Sequence, residues 1–221
     1  MSKTGLASFP PEPDVPAAQR AEGQVRLRYE DVTQDGRLAL AALPHALGEV
    51  LWRSALADAS MTQALRAAGV VPILTRVVVE GGGGPVSVRR PLDGSGCFQL
   101  AHAVDEHGAV SKLLLNMWVS VRGLSGRTHG PPPDGAGEPV TAGRVFAEHV
   151  FTRLFAPAGE RRVLRLDAPG LPAVPPARVD WQPPEALLEP PAGAAWLEPA
   201  PAPDGAPVVF ALDHTDSNQH V

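Results

Sequence analysis

A single change of hydrophobic period constrains this chain more than any other feature. Between residues 43 and 56, Leu43, Ala46, Leu47, Val50, Leu51 and Ala55 recur at spacings of three and four, the apolar stripe of a helix that must be buried. Pro44 suits the first turn of that helix, and a second helical piece over residues 61–68 ends at Gly69, which tolerates the left-handed conformation of a C-cap. After it, "VVPILTRVVVE", "PVSVRRPL", "CFQLAHAVDE" and "AVSKLLLNMWVSVRGL" are β-branched runs or alternate with a period of two, as strands do. The breaks "GGGG", "DGSG" and "DEHG" are short enough to join antiparallel neighbours, so a meander of four strands is expected. Ahead of the helix, "QVRLRYEDV" alternates Val25, Leu27 and Tyr29 with Arg26, Arg28 and Glu30, which predicts one more strand with one buried face.

One apolar helix among antiparallel strands is buried most simply when the sheet curves around it, which is the α+β hotdog arrangement. A ferredoxin-like alternative needs a second helix before the last strand, and "DEHG" leaves no room for it. Residues 125–143 read as a loop. "RVFAEHVFTRLF" reads as a further helix, although its Thr and β-branched residues have low helix propensity. Prolines recur from residue 169 to 207 and leave room for one short helix, "PEALLE", and isolated anchors such as Trp181 and Trp196. Then comes an apolar run, "PVVFAL", and the polar string "DHTDSNQHV".

Charge and cysteine usage narrow the function classes. The formal charge is −5, and the only lysines are Lys3 and Lys112, so the clustered basic surface that tracks nucleic acid is not expected. A lone Cys97 allows neither an intrachain disulfide nor a cysteine metal cluster, which makes a reducing cytoplasm the expected compartment. The first residues lack the apolar core of a signal peptide, and no apolar run approaches the roughly 20 residues of a membrane span.

The block "VRLRYEDVTQDGRLALAALPHALGEVLW", the run "SKLLLNMWVSVRGLSGR", the proline-rich stretch and "HTDSNQHV" together resemble the acyl-acyl-carrier-protein thioesterases, which carry two hotdog repeats in one chain. In that family a strand leads into DxNxHV and then into the long helix of the second repeat. Residues 1–23, rich in Pro, Ala and charge without periodicity, are expected to be a flexible arm; a first hotdog domain is expected over 24–127 and a Pro/Gly-rich connector with short helices over 128–206. The start of a second repeat would then cover 207–221. The resemblance places Asp216, Asn218 and His220 on the catalytic positions. It also implies hydrolysis of an acyl thioester on acyl carrier protein or coenzyme A, without metal or organic cofactor, and a homodimer through sheet pairing as one expected assembly. If Val221 is the end of the chain, the helix that follows the motif in that family is missing and the centre is incomplete.

Thioester hydrolysis needs a water made nucleophilic near neutral pH and donors for the oxyanion. An imidazole such as His220 suits the first task, a carboxylate such as Asp216 holds its tautomer, and the Asn218 amide both donates and accepts. Metal binding by Asp213, His214, Asp216 and His220 is disfavoured for want of supporting partners. His45 and Glu49, one helical turn apart, suggest the acid and base of a hydratase or dehydratase, but such pairs more often line a solvated face. A non-catalytic acyl-binding module is the other alternative. His102 and His107 lie beside a hairpin turn and are expected at the surface, and Cys97 is expected to be a small buried side chain. "GGGG" lacks the GK[ST] of a phosphate loop and reads as a hairpin turn. Arg89 and Arg90 are candidates for an acidic carrier, against the ordinary reading of solvated strand-end arginines.

Overall fold

The computed structural model describes residues 9–56, 60–128, 130–168 and 170–183. The central helix spans Leu47–Leu56 and is wound with the wide hydrogen-bond spacing of a π-helix. Its buried line, Leu43, Leu47, Leu51 and Leu56, steps by four, four and five residues, which suits that wide turn better than an α-helix. A short helix, α1 (Ser60–Ala67), follows and closes at Gly69, whose φ of 68° is the left-handed C-cap conformation.

The strands are β1 (Arg20–Val25), β2 (Val71–Gly81), β3 (Leu92–Val104), β4 (Val110–Leu124), β5 (Pro139–Thr152) and β6 (Ala177–Arg178). They form one sheet of order β1-β3-β4-β5-β2, with β6 paired to β3 beyond the end of β1. On β4 the register is plain: Leu113, Leu115, Met117, Val119 and Val121 join the helix in the main core, while Leu114 and Trp118 belong to smaller clusters on the opposite face. An antiparallel sheet wrapped around one buried helix is the hotdog fold. Among the described residues, no helix is long and apolar enough to cross a membrane.

Several expected elements are corrected. Residues 144–155 are no helix: most of that stretch is the second half of β5, an inner strand between β4 and β2. Both faces of an inner strand can be apolar, so Val145, Phe146, Ala147, Val150 and Phe151 lose the alternation that marks a half-buried strand. The sheet therefore extends past residue 127 into the stretch read as connector. The meander comprises β3, β4 and β5, while β2 crosses to the far side and pairs with β5, so "GGGG" joins no adjacent strands. The expected strand over residues 85–92 reduces to a single bridge between Val86 and Ser125.

"DGSG" is no turn either; it lies within β3, paired with β1 on one side and β4 on the other. The reason is closeness. A Cβ on Gly94 would sit 2.4 Å from Val50 Cγ2, and one on Gly96 would sit 2.5 Å from the Trp118 carbonyl oxygen. Gly94 lets the helix lie close against the sheet and Gly96 leaves room for the backbone of β4, both uses of glycine in a strand interior.

The first strand also lies earlier than expected. Val25 is buried at its end, but Tyr29 is 76% exposed in a one-turn helix over Tyr29–Asp31. Asp31 causes this: its carboxylate accepts the Arg28 backbone N–H at 2.7 Å and the Arg28 guanidinium at 2.9 Å, a local alternative to the strand ladder. Nor is the start of the chain all arm, because Val15 and Phe9 pack on Cys97, Trp118 and Phe146 on the outer face of the sheet. Trp118 Nε1 donates to the Pro10 carbonyl oxygen at 3.1 Å. Residues 177–181 cover a second part of that face, where Trp181 packs with Ala101, Ala103 and Leu114.

Candidate functional site

Asp216, Asn218 and His220 lie outside the described residues, as do Asp213, His214, Trp196 and the strand expected over residues 207–212. The remaining candidates are all described. His45 Nε2 stands 3.3 Å from Glu49 Oε1, but both Glu49 oxygens accept Arg53 Nη1, at 2.7 and 2.8 Å. Both Glu49 oxygens are thus engaged by Arg53, and with the His45 and Arg53 side chains exposed this triad is a paired, solvent-facing helix surface. His107 is exposed in the β3–β4 turn, and His102 Nδ1 donates to the Pro175 carbonyl oxygen at 2.8 Å. Cys97 is buried, and burial pushes its thiol up to about 12, which keeps it from being a nucleophile.

The structure adds a cleft of about 950 Å³ between residues 33–40 and the end of β2 at Gly81 with the following Gly82. Its wall is a tight turn. Thr33 N–H donates to the Arg37 carbonyl at 2.8 Å, Gly36 N–H donates to the Thr33 carbonyl at 2.9 Å, and Gly36 takes a φ of 89°. The Thr33 hydroxyl donates to Asp35, whose carboxyl is held below its usual range by that bond and then by the Arg37 N–H. Hydroxyl, carboxylate and guanidinium thus share one rim, and Arg127 packs against the same turn at Gly36.

A second depression, a groove of about 1270 Å³, adjoins the cleft at Arg127 and lies where the ends of β1, β3 and β4 meet the turn at residues 88–90. Arg89, Arg90, Arg122 and Arg127 line it. Among the described residues none of these four guanidiniums makes a salt bridge or a side-chain hydrogen bond, which distinguishes them from Arg20, Arg28, Arg53, Arg76 and Arg144.

Two adjacent residues of β5 are polar and buried on opposite faces of the sheet, Glu148 beside Arg76 and His149 toward the central helix. Glu148 is 2% exposed and accepts from Arg76 Nη2 at 3.3 Å and from Thr75 Oγ1 at 3.2 Å. Burial raises its carboxyl above the usual range, and Arg76 and Thr75 only partly oppose this. Among the described residues its strand partner Asn116 is buried with no partner for Oδ1, and Arg76 Nε has none either. His149 lies edge-on to Trp52 of the central helix, the ring centroids 5.7 Å apart. Its Nδ1 faces the Leu115 carbonyl oxygen at 3.3 Å, so Nδ1 carries the proton and Nε2 the lone pair. Burial lowers its pKa to about 4, which makes it a neutral imidazole at physiological pH. Reading residues 144–155 as a helix hid this pair. The available signal was two adjacent ionisable residues inside an otherwise apolar run.

No family model matches the sequence, and no curated protein matches it. Among solved structures, a thioesterase superfamily protein from Jannaschia sp. CCS1 is similar at 18% identity and a TM-score of 0.36, over 66% of this chain and 83% of its own. A hypothetical protein from Thermus thermophilus is similar at 16% identity and a TM-score of 0.35, over 67% of this chain and 99% of its own. Likeness at this level carries no argument about activity. The class rests on the strand order and the wrapped helix themselves: this is a hotdog-fold protein.

Proposed function

We propose that the chain is an acyl-thioester hydrolase of the tandem hotdog kind, with residues 20–152 as the core of its first repeat and residues 207–221 as the start of a second. The observation that carries the reading is the conjunction of a hotdog sheet and helix with the string "DSNQHV" placed after an apolar, strand-like run. In the proposed reaction His220 takes a proton from water as its oxygen bonds to the thioester carbonyl carbon. The tetrahedral oxyanion then collapses, the C–S bond breaks, and the proton passes to the departing thiolate. Asp216 orients the imidazole and Asn218 holds the water or the carbonyl oxygen. Glu49, engaged by Arg53, gives the hydratase alternative no support.

The test is hydrolysis of acyl-coenzyme A and acyl-carrier-protein thioesters by the full-length protein, followed by thiol release. We expect turnover, with His220→Ala lowering kcat by about 10²–10⁴. Absence of cleavage, or an unchanged rate in the variant, defeats the reading.

A further inference from the structure

The arginine-lined groove is unused by the reading above, and its chemistry is specific. Four arginines line one depression of a chain whose formal charge is −5. They come from two separate segments: Arg89 and Arg90 from the turn before β3, Arg122 and Arg127 from the end of β4 and the residues after it. The segments are tied together, because Ser87 N–H donates to the Leu124 carbonyl at 2.9 Å and Val86 bridges Ser125. The cluster is therefore held by backbone pairing. Among the described residues the four arginines make no ion pair, although Glu22 and Asp93 share the groove, and a bound anion relieves the repulsion between the guanidiniums.

We propose that this groove is a phosphate-recognition subsite that holds the nucleotide end of coenzyme A, so that the carrier of the acyl group is the coenzyme; this rests on the thioester reading. The guanidinium fork matches phosphate oxygens two at a time, and several phosphates on one ligand need several such forks. The form of the site favours the coenzyme over an acidic carrier protein. At about 1270 Å³ the groove is larger than the roughly 300–1,000 Å³ of a compact small-molecule pocket, which suits an elongated ligand such as coenzyme A, whereas a folded carrier presents a convex surface. Glu22 and Asp93 also line the groove, Asp93 opposite Arg122 in the β3–β4 register, and offset part of its positive charge, so recognition there rests on the guanidinium hydrogen bonds a phosphate can accept rather than on net charge. Because groove and cleft adjoin at Arg127, a ligand anchored by its phosphates can run its thiol-bearing arm toward the Thr33–Asp35 rim.

The test is calorimetric titration of the full-length protein with unacylated coenzyme A, with inorganic pyrophosphate, and with unacylated carrier protein. We expect coenzyme A to bind with an affinity that falls as salt rises, pyrophosphate to bind more weakly, and the carrier protein not to bind. Arg122→Ala/Arg127→Ala should weaken coenzyme A binding about tenfold or more, with an unchanged thermal midpoint showing that the variant is folded. Equal affinity of variant and wild type, no binding of coenzyme A, or binding of the carrier protein alone each overturns the proposal. Unacylated coenzyme A cannot be hydrolysed, so the two readings fail separately. Binding without thioesterase activity sinks the hydrolase and leaves the subsite, and hydrolysis with no arginine dependence does the reverse.

Discussion

Arg76 and Arg122 sit on the same sheet, one on its second strand and one near the end of its fourth, and are used in opposite ways. Arg76 lies largely buried against Glu148, its guanidinium 5.2 Å from the centre of the Phe146 ring. Arg122 stands exposed in a groove with three other guanidiniums and no partner among the described residues. A charge inside a sheet must be compensated by the fold, because desolvation costs several kcal/mol per ion. A charge at the rim is compensated by water until a ligand arrives. The first kind of arginine reports on stability and the second on binding.

That contrast is breakable, and the largest effect should come from the buried pair. Arg76→Leu strands the Glu148 carboxyl, and we expect a loss of about 3 kcal/mol in urea unfolding at neutral pH. Arg76→Leu/Glu148→Leu should recover most of it, since replacing both charges removes the desolvation cost that neither partner alone escapes. A double variant as unstable as the single one would show that the pair does more than neutralise itself.

The pH dependence of stability should follow the neighbouring residue. His149 has a folded pKa of about 4 against 6.5 in the unfolded chain. Between those values the unfolded state binds the extra proton, so stability is intact above pH 6.5 and falls as the pH drops toward 4, by about 3 kcal/mol in total. Glu148 acts in the opposite sense: its raised pKa favours the native state at low pH and loses that contribution as the pH rises through its folded value. Unfolding measured across this range should show a loss of stability toward low pH that His149→Leu removes, leaving the opposite slope of Glu148. A loss toward low pH that survives the substitution would place its origin elsewhere.

The smallest effect sharpens the comparison from the other side. Arg122→Ala should shift stability by no more than about 0.5 kcal/mol, because the side chain is exposed and pairs with nothing described. A cost approaching that of Arg76→Leu would mean that the rim arginines hold the fold together, and the division drawn above would fail.

What was legible in the sequence follows how local each signal is. The alternation of β4, the stripe from Leu43 to Leu56 and the cap at Gly69 are periodicities that a few neighbouring residues impose on themselves, and all three appear in the structure. The buried Cys97 and the solvated His45–Glu49 pair follow from ordinary side-chain behaviour. β5 was hidden because an inner strand is apolar on both faces and loses its period. "DGSG" read as a turn because glycine marks both turns and close approaches, and only the position of Val50 above the sheet tells them apart. The motif at Asp216, Asn218 and His220 is legible as a string, and its spatial setting lies outside the described residues.

By itself, then, the sequence determined that one helix would be buried among antiparallel strands, because apolar period is a property of consecutive residues. Tertiary structure alone decided that β2 crosses to pair with β5, that Glu148 meets Arg76 across 72 positions of chain, and that four scattered arginines share one groove. Those outcomes depend on which strands become neighbours, and the backbone hydrogen bonds that choose neighbours look alike at every residue that has an N–H to give.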